Sequence, residues 1–514
     1  MRTPIMIVFL AACFGHATAR DFYIAPGGDD RAAGTEESPF ASLIPAQKVI
    51  AAGDRVIFRG GVYKPSSEQS MGERSSIYSC AYILDKDGVE GKPITYMAYP
   101  GEQPIFDMSD YRPEGKRVSV FYVSGSWLHI KGLEVIGTQV TISDGSNTQS
   151  ECFSNRGGSH NVYEDLKMHD GSAIGWYLVK GGNNLVLNCD AWCNYDKANG
   201  GGNVDGFGCH PSKGDTGNVL RGCRSWWNSD DGFDLIHSAE SVWIDNCWAF
   251  YNGYQPNTFK SAADGNGIKA GGYGMSENSK IPETIPMHRV TNCLAYYNKS
   301  AGLYANHHLG GIEWVNNTGV HNRWNYNMVN RQSAEDAVDV SGYGHFLAHN
   351  VSFDPRDKDY YNMDFAKCTL INNSFGPKEL TLTTDDFESL DGETLTSPRQ
   401  ADGTLPDILF VRPKSTSALY SSKMGYSFQA PTMQEIIDAE NRETQWLMAP
   451  TIVVEGDTAW IEGPDADKVN AIYANDIKLK ISRGKADFSA IEGSEILLKA
   501  TLSSGVIMIK NIKR

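Results

Sequence analysis

The chain of 514 residues carries 62 acidic against 46 basic side chains, a formal net charge of -16, and 52 glycines. That balance excludes nucleic acid as a partner, because its binding depends on basic surface, and no apolar stretch after residue 20 is long enough for a transmembrane segment. So long a chain is either several domains or one elongated solenoid, and its many glycines point to a turn-rich β architecture.

Residues 1–19 read as an export signal: Arg2 gives the positive start, residues 5–12 the apolar stretch, and Ala17-Thr18-Ala19 a small-residue cleavage site. Leu10-Ala11-Ala12-Cys13 offers the alternative of a lipobox, with the mature protein lipid-anchored through Cys13. Either reading predicts an exported protein, periplasmic or secreted. Residues 21–63 then alternate strand, short amphipathic helix (about residues 41–51) and strand, the pattern of an N-terminal cap on an open core. A β-helix domain is expected over 20–425, a linker with a short helix over 426–448, and a small β-rich module over 449–514.

A repeat sets the expected fold. Four segments align without gaps, beginning at Val186, Leu220, Ile244 and Val290. They place Cys189, Cys223, Cys247 and Cys293 in one column, Ala191, Ser225, Ala249 and Ala295 in another, and close on Asn194, Asn228, Asn252 and Asn298. The register extends forward to Asn317 and Asn322 and back to Asp165 and Asp170. Such units are turns of a parallel β-helix, stacked about 4.8 Å apart, with asparagines laddering at a tight bend. The cysteines are expected to be free and buried, as a small-residue core stack. Two insertions, residues 195–204 and 253–265, leave the same corner and are expected to wall one cleft.

A second strand follows each asparagine bend, starting at Asp205, Asp231, Asn266 and Ala301. Phe207, Phe233, Ile268 and Leu303 form its inward column; alternation then puts Gly208, Asp234, Lys269 and Tyr304 outward. Asp205, Asp230, Asp231 and Asp234 thus gather on neighbouring turns with Lys269 above. Four clustered carboxylates repel one another unless a cation joins them, and an oxygen-only set suits calcium. His210, Lys213, Tyr304 and Asn306 are expected to line the groove, and Arg331, placed one register step beyond Asn306, to grip a second carboxylate of the substrate.

These residues, from Asn203 through the Asp230-Asp231 pair to the run Asp264–Gly272, resemble the signature of polysaccharide lyase family nine. The resemblance implies an all-β, right-handed parallel β-helix and an acidic pectic polysaccharide as substrate; a monomer is expected. It also implies Asp205, Asp230, Asp231 and Asp234 as calcium ligands and Lys269 as the Brønsted base. The chemistry is consistent: a 4-O-linked uronate loses its C5 proton and then its C4 substituent, leaving a 4,5-unsaturated sugar. Free lysine titrates near ~10.4, so a neighbouring cation and partial desolvation must lower it, or the enzyme must work at alkaline pH. Homogalacturonan and rhamnogalacturonan I both present such a uronate. A β-helix hydrolase using the aspartates, and a non-catalytic glycan binder, are the competing readings.

Overall fold

A computed structural model describes residues 19–142, 148–274, 281–447, 451–462, 467, 469–502 and 507–513. The expected export signal, with Cys13, lies outside the described residues apart from Ala19. The chain divides into two compact units, residues 1–430 and 431–514.

The first unit is a parallel β-helix. Three sheets run its length, of 12, 10 and 11 strands among the described residues. They are parallel throughout, save the strand Gly72–Arg74, which pairs antiparallel with Tyr78–Leu84. The first sheet runs from Asp21–Ile24 to Thr369–Ile371, the second from Gly61–Tyr63 to Val351–Phe353, and the third from Gly72–Arg74 to Lys358–Tyr361. The helix expected near residues 41–51 is confined to Ile44–Val49, and Leu43, Ala46 and Ile50 pack with Phe22, Phe40 and Val56. Pro45 in its first turn fits a helix start, where its missing N–H costs nothing.

The repeat register holds where it is gapless: Ala191 pairs with Ser225, Ser225 with Ala249, and Ala249 with Ala295. Each asparagine amide donates to the next, Asn194 to Asn228 at 2.9 Å, Asn252 to Asn298 at 3.0 Å and Asn298 to Asn322 at 2.9 Å. Buried amides therefore satisfy one another and the bend, as a fully connected polar network must. The backward extension is one residue out. Met168 pairs with Ala191, so Gly171, not Asp170, faces Asn194, and Leu166, not Asp165, faces Cys189. Asp170 is exposed and bonds His169 instead. The error arose because that bend uses a glycine amide in place of an asparagine.

All nine described cysteines are free, eight of them buried. Cys189, Cys223, Cys247 and Cys293 stack in the core, and Asn317, Asn350 and Asn373 continue the column as a second amide ladder. Titration of the denatured, unreduced protein with a thiol reagent is expected to find these nine reactive; a loss of thiols in pairs would contradict this core.

Beyond the last strands, residues 380–426 fold back over the second sheet and build an apolar layer with Trp248, Phe250 and Leu294. A buried ion triad pins this cover: Arg224 and Arg399 both bond Asp190, at 2.7 and 2.6 Å. The second unit contains the helix Met433–Leu447 and two four-stranded antiparallel sheets around Ile461, Ile472, Phe488 and Leu498. Among the described residues no helix is long and apolar enough to cross a membrane.

Candidate active site

The third sheet carries the site. In register, Phe207, Phe233, Ile268 and Leu303 point inward, and Gly208, Asp234, Lys269 and Tyr304 form the next column. Phe207 and Phe233 stack with centroids 5.0 Å apart, which fixes their rungs. The glycine that precedes each inward residue is dictated by close packing at the bend, against the next rung's backbone carbonyl and a ladder asparagine, or against Ser225 at Gly206. A Cβ at Gly232 would lie 2.8 Å from Asn252 Nδ2, and one at Gly267 2.7 Å from Asn298 Nδ2. Asp205, Asp231 and Asn266 are therefore held at the mouth of the bend, immediately before a position that admits no side chain.

There the side chains converge. Asp205 Oδ1 accepts the Asp231 N–H at 3.0 Å. Asp231 Oδ1 accepts both the backbone N–H and the side-chain amide of Asn266, at 2.7 and 2.9 Å. Lys269 Nζ stands 3.0 Å from Asp231 Oδ2 and 3.0 Å from Asp234 Oδ2. One oxygen from each of Asp205, Asp231 and Asp234 lies within 4.8 Å of the other two. Asp230 is adjacent but turned: its oxygens accept the N–H groups of Asn203 at 2.8 Å and Asp264 at 3.1 Å. It thereby joins the two inserted loops, which also meet through Gln255 and the Tyr195 hydroxyl.

Electrostatically the cluster is short of positive charge. Burial, then the neighbouring carboxylates, pushes Asp205 well above the usual carboxylate range and Asp230 up to about 7. Asp231 is likewise raised by burial, with Lys269 opposing. Asp234 is the exception: burial would raise it, but Lys269 holds it below its ordinary value. Lys269 runs opposite to the sequence expectation. Burial would lower it, but Asp231, Asp234, Asp205 and Asp230 outweigh burial and hold the ammonium well above its ordinary value. One lysine cannot neutralise four acids, and buried Asp231 Oδ2 has the Lys269 ion pair but no hydrogen bond. A divalent cation fits this oxygen-only donor set.

The expected groove residues divide. His210 accompanies the site: Tyr177 Oη lies 3.2 Å from its Nδ1, and its Nε2 is 3.2 Å from the Asp234 carbonyl. Tyr304 is half-buried, directly beside Lys269 in the sheet. Asn306 is buried and donates to the Gly271 carbonyl at 3.1 Å. Lys213 is an exposed residue 3.9 Å from Glu283. Arg331 is not where the sequence placed it: Tyr304 pairs with Asn327, which puts Val329 at the Asn306 rung. Arg331 is 2 % exposed, and its guanidinium donates to the carbonyls of Ser333 and Ala334 at 2.9 and 2.8 Å. Asn266 is the residue that sequence reasoning passed over. It heads the same aligned strand as Asp205 and Asp231, and that position was the available signal.

Its relatives put this parallel β-helix, with a lysine set among aspartates on one sheet face, in a class of carbohydrate-active enzyme, the polysaccharide lyases. A sequence model described as "Pel9A-like, right handed beta helix region" matches residues 22–344. The chain is 32% identical over 436 residues to pectate lyase L of Dickeya chrysanthemi, covering 82% of this chain and 91% of that protein. Among solved structures, a rhamnogalacturonan lyase is 46% identical with a TM-score of 0.76, covering 80% of this chain and 100% of that one. Pectate lyase Pel9A is 31% identical with a TM-score of 0.62, covering 78% and 91%. The chain belongs to the Pel9A-like right-handed β-helix family, in keeping with its resemblance to polysaccharide lyase family nine.

Proposed function

We propose that this polysaccharide lyase cleaves 4-O-linked galacturonate in the rhamnogalacturonan I backbone by calcium-dependent β-elimination. The observation that carries the reading is Lys269 Nζ at 3.0 Å from two carboxylates of a three-aspartate cluster. Rhamnogalacturonan I is preferred because the 46% identity to a rhamnogalacturonan lyase exceeds the 31–32% to pectate lyases. Homogalacturonan, which offers the same uronate, is the second reading on the strength of those pectate lyases.

In this reading Asp205, Asp231 and Asp234 hold calcium, with Asp230 beside them. Bound calcium would draw charge from the substrate carboxylate and so stabilise the charge that develops as C5 loses its proton. Lys269, as the neutral amine, takes that proton onto Nζ. Asp231 and Asp234 fix the amine's position on the sheet, and Asn266 fixes Asp231 through two hydrogen bonds. The C5–H electron pair becomes the C4–C5 double bond as the C4–O bond breaks, and the leaving oxygen takes a proton from solvent water. Export through residues 1–19 and action as a monomer belong to the same reading.

A hydrolase would place its two carboxyl groups about 6.5–9.5 Å apart to admit a water when inverting; here the oxygens lie within 4.8 Å. The product decides. Elimination leaves a double bond conjugated to the carboxylate, so near-ultraviolet absorbance is expected to rise on rhamnogalacturonan I with calcium, faster than on polygalacturonate. New reducing ends without absorbance would mean hydrolysis, and binding without product would mean a glycan-binding protein.

A further inference from the structure

The column that holds Lys269 is interrupted by a glycine. Followed toward the amino end it runs Lys269, Asp234, Gly208 and Tyr177. A Cβ at Gly208 would lie 2.6 Å from Cδ2 and 2.9 Å from Cε2 of Tyr177. The Tyr177 ring therefore lies where a side chain at position 208 would begin, on the rung next to Asp234. It is buried there, and it meets the His210 ring edge to face with centroids 5.0 Å apart.

The hydrogen bonds of His210 have one consistent assignment. Its Nε2 is 3.2 Å from the Asp234 carbonyl, which can only accept, so the proton sits on Nε2. Nδ1 is then left to accept the Tyr177 hydroxyl, also at 3.2 Å. The far side of Tyr177 is held as well. Arg156 lies over the Tyr177 ring at 5.3 Å and over the Tyr78 ring at 4.8 Å. Its guanidinium pairs with the fully buried Glu151 and donates to the Tyr78 hydroxyl at 2.8 Å, and that hydroxyl donates to Glu151 at 3.0 Å. At the other end of the chain of contacts, Asp234 Oδ1 accepts the Ile236 N–H at 2.7 Å, and Oδ2 accepts from Lys269 at 3.0 Å.

We infer that His210 and Tyr177 are positioning residues for this site. They hold the Asp234 main chain at one place on the sheet and so set its carboxylate against Lys269 and the cation-binding oxygens. Arg156, paired with Glu151, keeps the Tyr177 ring in place in turn. Gly208 is glycine because the brace passes over it. The inference deepens the lyase reading and rests on it for the effect on turnover, while its geometry stands without it.

The test pairs calorimetric titration with calcium, in the absence of substrate, with steady-state kinetics on rhamnogalacturonan I. His210→Leu removes the donor to Asp234, and Tyr177→Phe removes only a hydroxyl. The calcium Kd is expected to rise about tenfold in His210→Leu, because outer contacts that orient a metal ligand are typically worth about 10–100-fold in affinity or activity. Tyr177→Phe should show a smaller rise, and in both variants kcat should fall while KM stays close to the parent's. His210→Gln, whose amide N–H can donate to the same carbonyl, should recover most of both losses. A calcium Kd equal to the parent's in His210→Leu would overturn the inference, and so would a rise in KM alone, which would make His210 a substrate contact. Should His210→Leu fail to fold, Tyr177→Phe decides by the same two readings, since it keeps the ring and its packing. If the parent binds no calcium or yields no unsaturated product, it is the lyase reading that fails, and the geometry is tested alone. A crystal structure of His210→Leu should then show Lys269 parted from Asp234, and a pair still at 3.0 Å would overturn the inference.

Discussion

Replacing Lys269 by alanine is expected to lower the elimination rate by about 10²–10⁴-fold or more, the usual cost of losing a positioned base. Alanine also leaves Asp231 and Asp234 without their cation, so loss of activity alone could reflect a disturbed site. Lys269→Arg separates the two effects, because guanidinium keeps the charge among the carboxylates and cannot deprotonate. Both variants should lose the ultraviolet signal, while the arginine variant keeps the parent's thermal stability. Near-normal turnover by either would move the base elsewhere, and His210, beside Asp234, would be examined next. A pH dependence accompanies this. The base acts when neutral, and the carboxylates raise its pKa above that of free lysine. The rate should therefore climb as pH rises into the alkaline range, and the neutral fraction should grow once a divalent cation offsets the carboxylate charge.

Removing divalent cations with a chelator is expected to abolish turnover, and added calcium to restore it. Calcium should also raise the melting temperature, since a ligand at a hundred times its Kd adds about 2.7 kcal/mol to the folded state. Asp231→Ala should weaken both responses most, because Asp231 touches Asp205, Asn266 and Lys269 at once. Asp230→Ala should act differently. Its carboxylate bonds the N–H groups of Asn203 and Asp264, so its loss should loosen the two inserted loops as well as the site. Full turnover in excess chelator would remove calcium from the mechanism.

The gapless part of the repeat was legible in the sequence because a stacked coil imposes one residue type per column. The small Cys–Ala–Ser stacks, the asparagine ladder and the Gly208–Asp234–Lys269–Tyr304 column all follow from gapless alignment within each segment plus strand alternation. Lys269 next to Asp234 was thus readable across a separation of 35 positions of chain. Reading failed outside the gapless segments, where no shared motif anchored the register. Gly171 replaces an asparagine with its own backbone amide, which moved Asp165 and Asp170 off by one, and the step from Tyr304 to Asn327, shorter than that from Asn298 to Asn322, left Arg331 past the Asn306 rung.

By itself, then, the sequence determined the coil, its core stacks and which side chains share the face of the candidate site. Only the tertiary structure decided how each charge is partnered. Arg331 is buried on carbonyls, Asp230 is turned to the loops, and Lys269 is a cation held up by four acids. It also decided that Arg224 and Arg399, far apart in sequence, share Asp190 beneath the folded-back segment. Register is a local property that every rung repeats. Partnership depends on loop lengths and on burial, both of which are fixed only when the whole stack closes.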